Sequence, residues 1–210
     1  MRKKRYIFMA AGIMLGTASF SGFTAAYLTQ PVNEVSNVIT AGSVKAEIIE
    51  EHWDANNALK VYPGQVLAKD PVVKNTGYNV ANVFLEVTVP MENIAIIDDE
   101  TGIKRQKENR ELFSFQADTE NWKLLYQEQT AACKKYIYGY TSTLAPGEKT
   151  SPLFQKITAV HYVAGELSDK KSYEIPVVVQ AIQAQGNFRT LKEIYQEYLK
   201  QSASDSKEEM

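Results

Sequence analysis

Two histidines, one cysteine and a short run of carboxylates are the residues of this chain that could carry metal or nucleophile chemistry. His52 stands in "EEHWDA" beside Trp53 and Asp54, and His161 stands in "TAVHYV". His52, Asp54 and His161 are therefore the candidate metal ligands. A zinc protease sets two histidines on one helix face with a glutamate between them, as His-Glu-x-x-His. No such motif occurs, and the two histidines fall in separate predicted strands, so a surface or interface role is the expectation for each. Asp98, Asp99 and Glu100 form an acidic cluster without the spacing of a calcium loop, and they read as a solvated loop. Cys133 lies in "ACKK", a turn or strand edge. Neighbouring lysines lower a thiol pKa, but nothing around Cys133 marks a nucleophile. No glycine-rich phosphate loop is present. The aromatics of "YIYGY" read as core and cross-strand pairs. No catalytic residue, metal or cofactor is expected.

The elements that frame these residues are strands. "SVKAEIIEEHW" alternates through Val44, Ala46 and Ile48 and, less cleanly, on to Trp53, as in a half-buried strand. Pro63-Gly64 and "KNTGYN" mark turns. From Val80 to Val89 the alternation is strong. Val83, Leu85, Val87 and Val89 point one way, Asn82, Phe84, Glu86 and Thr88 the other, and Pro90 closes the strand. Residues 91–120 lose the pattern, and "IDDETGIKRQKENRE" reads as a charged insertion, either a solvated loop or a short helix. Patterned sequence returns in "WKLLYQEQ", "KYIYGYTSTL", "PLFQKITAVHYV" and "SYEIPVVVQAIQAQ", rich in the residues strands prefer. About seven to nine short strands predict a mainly β chain, an antiparallel β-sandwich. Thr190 and Glu193 form a capping box. Leu191, Ile194, Tyr195, Tyr198 and Leu199 then recur on one helical face, so 189–201 is read as an amphipathic helix packed on the sandwich edge. Residues 202–210 are read as a disordered tail.

The N-terminus has the layout of a secretory signal. Four cations, Arg2 to Arg5, precede an apolar run, and no further charged residue occurs before Glu34. The run from Tyr6 to Leu15 is too short by itself to cross about 30 Å of hydrocarbon. Small residues then dilute it. Thr24 and Ala26 satisfy a signal peptidase for a cut after Ala26, and Ala25 also fits the position before a cut. An uncleaved anchor is the rival, because the whole uncharged stretch is long enough to span. The expected organisation is a leader over 1–26, a sandwich over 27–188, the helix and the tail. Loss of the four cations takes the formal charge from −2 to −6, which gives no electrostatic reason to bind nucleic acid. One cysteine excludes an internal disulfide. An exported protein without disulfides fits a Gram-positive bacterium better than a eukaryotic secretory route.

Five blocks, in order, carry a resemblance. "GTASFSGFTAAYLTQ" resembles the signal end of proteins processed by the SipW-type peptidase. "NVITAGSVKAEIIEEHWD" resembles a first strand that follows it. "YPGQVLAKDPVVKNTGYNVANVFLEVTV" resembles a Pro-Gly, Lys-x-Pro and Asn-Thr-Gly turn block. "LAPGEKTSPLFQKI" and "VVVQAIQAQGN" resemble the last two blocks. Residues 16–188 are similar in this way to the TasA and camelysin family. The resemblance implies a jelly-roll-like sandwich, a SipW-like signal peptidase as processing partner, and a matrix protein that assembles into fibres. Camelysin is described as a metalloprotease, but no zinc-protease motif is present here to carry that activity over.

The expectation is a secreted, non-enzymatic protein of the cell surface or biofilm matrix, acting by self-association or with other matrix or cell-surface proteins. A camelysin-like secreted metallopeptidase and a monomeric surface adhesin or binding module are the alternatives. Fibre formation would use the segment from Tyr27 to about Gly42 as a strand donated to a neighbour, with Val35, Val38 and Ile39 as its buried residues. Strand addition to an exposed edge supplies the bonds, and a head-to-tail contact that does not close makes filaments.

Overall fold

A computed structural model describes residues 44–54, 61–168, 171–184 and 189–208. The leader, the cleavage residues Thr24, Ala25 and Ala26, and the donor residues Val35, Val38 and Ile39 lie outside the described residues. The described chain is mainly β, with antiparallel sheets and one C-terminal helix.

The strands are β1 (Ala46–Ile49), β2 (Val66–Ala68), β3 (Val72–Asn75), β4 (Ala81–Ile94) and β5 (Glu108–Glu111). They are followed by β6 (Phe113–Phe115), β7 (Trp122–Gln129), β8 (Cys133–Tyr140), β9 (Lys156–Ala159) and β10 (Val177–Gln183). Helix α1 spans Leu191–Glu208.

One layer of the sandwich is the sheet ordered β10-β4-β8-β7, with β5 paired to the far end of β4. The other layer is broken. β1 pairs with β3, and β2 pairs with β9, which pairs with β6. Backbone bonds from Lys69 to Gln155, Leu153 to Pro71, Thr150 to Val73 and Asn75 to Glu148 join the two pieces. Residues 147–155 thus run antiparallel along 69–75, and the layer reads β1, then β3 with β2, then β9, then β6. One core fills the space between layers, drawing Ile48 and Val73 from the broken layer, Leu85 and Val87 from β4, and Trp122 from β7. Trp122 ties the layers together, because its indole N–H donates to the Ser151 carbonyl at 3.1 Å.

The turn block is held by Asn75, which is fully buried. Its Nδ2 donates to the carbonyls of Asn79 at 2.8 Å and Leu144 at 2.9 Å, while its Oδ1 accepts from the Gly77 N–H at 2.9 Å. A buried amide with its bonds made carries no desolvation penalty of an orphaned group.

β4 departs from expectation at two places. Val83, Leu85, Val87 and Val89 are fully buried as predicted, but so is Phe84 on the opposite face. α1 covers that face, where Phe84, Ile137, Tyr195 and Tyr198 form a second apolar cluster. The helix therefore packs on the outer face of the large sheet and not on its edge. Pro90, expected to close the strand, lies inside it. Thr88 donates to Pro176 on the β10 flank and Met91 donates to Ala132 on the β8 flank. By alternation the missing N–H of Pro90 falls on the β10 flank. That is the gap where β10 has ended and β5 has not begun, so no ladder bond is lost.

Residues 91–120, expected as a loop or short helix, contain the end of β4, β5 and β6, with Leu112 and Phe113 buried in the core. Most of their charged residues are exposed and mask the short apolar pattern. The helix begins with the expected box. The Thr190 N–H donates to Glu193 Oε2 at 2.8 Å, and the Glu193 N–H donates to Thr190 Oγ1 at 3.3 Å. It runs on to Glu208, through most of the stretch read as a tail. Among the described residues no helix is long and apolar enough to cross a membrane.

Candidate functional site

The candidate metal ligands are not brought together. His52 lies in the turn after β1, where its Nδ1 meets Asp70 Oδ2 at 2.6 Å and its backbone N–H donates to Asp70 Oδ1 at 3.0 Å. The hydrogen bond from Asp70 raises the His52 pKa above its ordinary value. Next to it Lys69 donates to both Glu50 oxygens, at 2.8 and 3.0 Å, with its ammonium 4.6 Å from the Trp53 ring centroid. Asp54 lines a small groove with His52, Trp53 and residues 65–68. His161 follows β9, and its Nδ1 pairs with Asp99. The ring lies over Gly64, whose φ is +74°, and a Cβ at that position would fall inside the imidazole. Among the described residues no group of three or more His, Cys, Asp and Glu side chains could hold a metal ion. A catalytic zinc takes three protein ligands and an open position, so these residues do not fit one.

The acidic run also divides. Asp98 accepts from Thr101 and Arg105, and those bonds hold its carboxyl far below the usual range. Cys133 opens β8 in the β7–β8 turn, half-buried, with Thr130 Oγ1 3.5 Å from its sulfur.

A groove of about 350 Å³ opens between the layers, lined by Glu111, Phe115, Tyr136, Tyr138 and Thr158 among others. Glu111 is fully engaged there, accepting from Lys134 at 2.8 Å and from the Tyr136 hydroxyl at 2.7 Å. Burial raises the Tyr136 pKa, and the Glu111 bond adds to it. Burial pushes Tyr138 up to about 12.

The other candidate surface is backbone. Among the described residues the large sheet has two edges, β7 and β10. β7 is guarded as exposed edges usually are, with Lys123 and Glu128 along it and a bulge between Leu124 and Tyr126. β10 reads "VVVQAIQ", without charge or proline, in unbroken register from Val177 to Gln183. Thr88 and Ala184 both bond across the β4 flank, to Pro176 and Val80. Alternation therefore turns the N–H and C=O groups of Val177, Val179, Ala181 and Gln183 to the open flank. Their side chains point inward, and Val177, Val179 and Ala181 are buried. Among the described residues β10 pairs only with β4. β1 approaches β10 without pairing to it, so the start of the described chain lies beside this edge.

The sequence signalled the strand of β10 but not its edge position, which depends on pairing 90 residues away at Val87. Comparisons with protein families, curated proteins and solved structures find no match to this chain.

Proposed function

We propose that this chain is an exported, non-enzymatic β-sandwich protein of a Gram-positive cell surface or biofilm matrix. A SipW-like peptidase removes its leader, and the freed N-terminal segment adds to the β10 edge of a neighbouring copy. The observation that carries this reading is the unguarded β10 flank, a row of backbone groups that pair with none of the described residues, beside β1, where the described chain begins. β-strand addition uses such a row for affinity and the alternate side chains of the donor for specificity. Repetition head to tail gives filaments, alone or with other matrix proteins.

The test compares the mature protein with a form lacking residues up to Gly42, by light scattering and electron microscopy. Filaments from the mature form alone support the reading. The same filaments from a folded truncated form overturn it. N-terminal sequencing of the secreted protein tests the cut, and a start at Met1 in membrane fractions makes it an anchored protein. The groove between layers supports a second reading, a monomeric surface-binding module, which applies if neither form assembles. A camelysin-like peptidase has less support, because each histidine faces a single carboxylate. Stoichiometric zinc with chelator-sensitive casein cleavage would establish it.

A further inference from the structure

α1 follows β10 directly in the chain and folds back over it. Ile182 of β10 packs in the cluster beneath the helix, with Leu125, Tyr126, Leu191 and Ile194. The Gln180 side chain of β10 lies beside the Tyr195 hydroxyl. Phe84 and Tyr195 rings stand 5.2 Å apart, and Tyr126 and Tyr195 rings 5.9 Å apart. The open-flank strand is thus held on its inner face by the sandwich core and, over Gln180 to Gln183, on its outer face by the helix.

The two faces are not equally strong. The sandwich core is a large apolar cluster, whereas among the described residues the helix interface fully buries only Phe84, Ile137, Tyr195 and Tyr198, with a partly buried rim. It also contains two buried polar atoms without a hydrogen-bond partner, the Tyr126 hydroxyl and Gln180 Oε1. Orphaned polar atoms weaken an interface, and elements with few buried contacts open before the global fold does. The first helical turn also depends on a bare patch of backbone. A Cβ at Gly139 would lie 3.3 Å from Leu191 Cδ1 and 3.2 Å from both Leu125 Cδ1 and Phe84 Cε1. Gly139 leaves the room into which the helix seats.

We infer that α1 is a latch on the acceptor strand: docked, it holds the Gln180–Gln183 end of β10 in place for strand addition, and undocked, it releases that end while the sandwich stays folded. The link to assembly rests on the strand-addition reading above; the opening of the latch does not. A preformed edge accepts a strand without ordering itself, and preorganisation of this kind is gained as affinity. Assembly is then controlled from a site outside the strand pairing, by anything that competes for the tyrosine face of the helix.

The test uses the full mature chain, with Gly139→Val to wedge the helix off and Tyr198→Ala to weaken it from its own side. Hydrogen exchange is followed in α1, at Gln180 and Ile182, whose N–H groups face β4, and at Leu85, Val87 and Val89, whose N–H groups face β8. A synthetic peptide of residues 33–43 reports strand uptake by fluorescence anisotropy. In both variants exchange is expected to rise at least tenfold in α1 and at Gln180 and Ile182 together. Leu85, Val87 and Val89 should not change, and peptide affinity should fall at least tenfold. Protection of Gln180 and Ile182 that survives loss of α1 overturns the latch, as does simultaneous loss of protection at Leu85, Val87 and Val89 in Tyr198→Ala. If the wild-type protein takes up no peptide, strand addition fails, and the exchange pattern alone decides the latch.

Discussion

Ala181→Pro separates β10 as a strand from β10 as an edge. Ala181 faces Val83 in a pair without ladder bonds, so its N–H points to the open flank and a proline there removes nothing from the β4 ladder. The monomer should lose about 1 kcal/mol or less, from the fixed φ. Strand addition is affected far more. Val177, Val179, Ala181 and Gln183 each offer one N–H and one C=O. About eight new bonds at roughly 0.5–1.5 kcal/mol net contribute about 4–12 kcal/mol. Ordering about seven donor residues costs about 7–14 kcal/mol. The backbone terms nearly cancel, and burial of side chains such as Val35, Val38 and Ile39 decides the outcome. Removing one donor loses its bond and leaves the incoming carbonyl unmet, together about 2–4 kcal/mol. At about 1.4 kcal/mol per tenfold, the critical concentration for filaments rises roughly 30- to 700-fold. Light scattering against concentration measures it, with thermal unfolding of the monomer as control. A folded variant that assembles at the wild-type concentration refutes the assignment of β10 as acceptor.

Asn75→Ala removes two buried hydrogen bonds and one part-buried one, so stability should fall by about 3 kcal/mol at about 1 kcal/mol each. The urea midpoint should shift with an unchanged slope, and a loss under about 1 kcal/mol would contradict the role given to this amide. Asp70→Asn should return the raised His52 pKa toward its ordinary value, as read by an NMR titration. The folded-state value stands above the unfolded one, so the pair's stabilisation is complete below about pH 6.5 and fades as pH rises through the folded-state value. Asp70→Asn should flatten that slope in urea midpoints measured across the same window.

The alternation of β4 was plain because one of its faces meets an entirely apolar core, and the capping box of α1 was plain because it is local. Phe84 misled because its face looked polar from Asn82, Glu86 and Thr88. Only the later helix, more than 100 residues on, turns that position inward. Pro90 misled for a similar reason, since a proline is tolerated where the flanking strand changes, and that change is set by β5 and β10. β5 and β6 are short, and their flanking charges hid Leu112 and Phe113. The histidines illustrate the limit most clearly. Asp70 and Asp99 stand 18 and 62 residues from their partners, and no spacing rule connects them. Gly64 carried a turn signal in Pro63-Gly64, but its role beneath His161 needed the fold.

The pairing of β4 with β10 also sets an order of events. β4 begins at Ala81, and the strand that completes its flank, β10, does not end until Gln183. Residues 69–75 likewise wait for 147–155. A chain emerging from its N-terminus cannot join the pieces of the broken layer until residues 147–159 have arrived, and it completes the large sheet only with β10. Contacts this distant make folding slow. Through that interval the apolar face of β4 has no cover, and whatever receives the emerging chain must keep it from premature pairing.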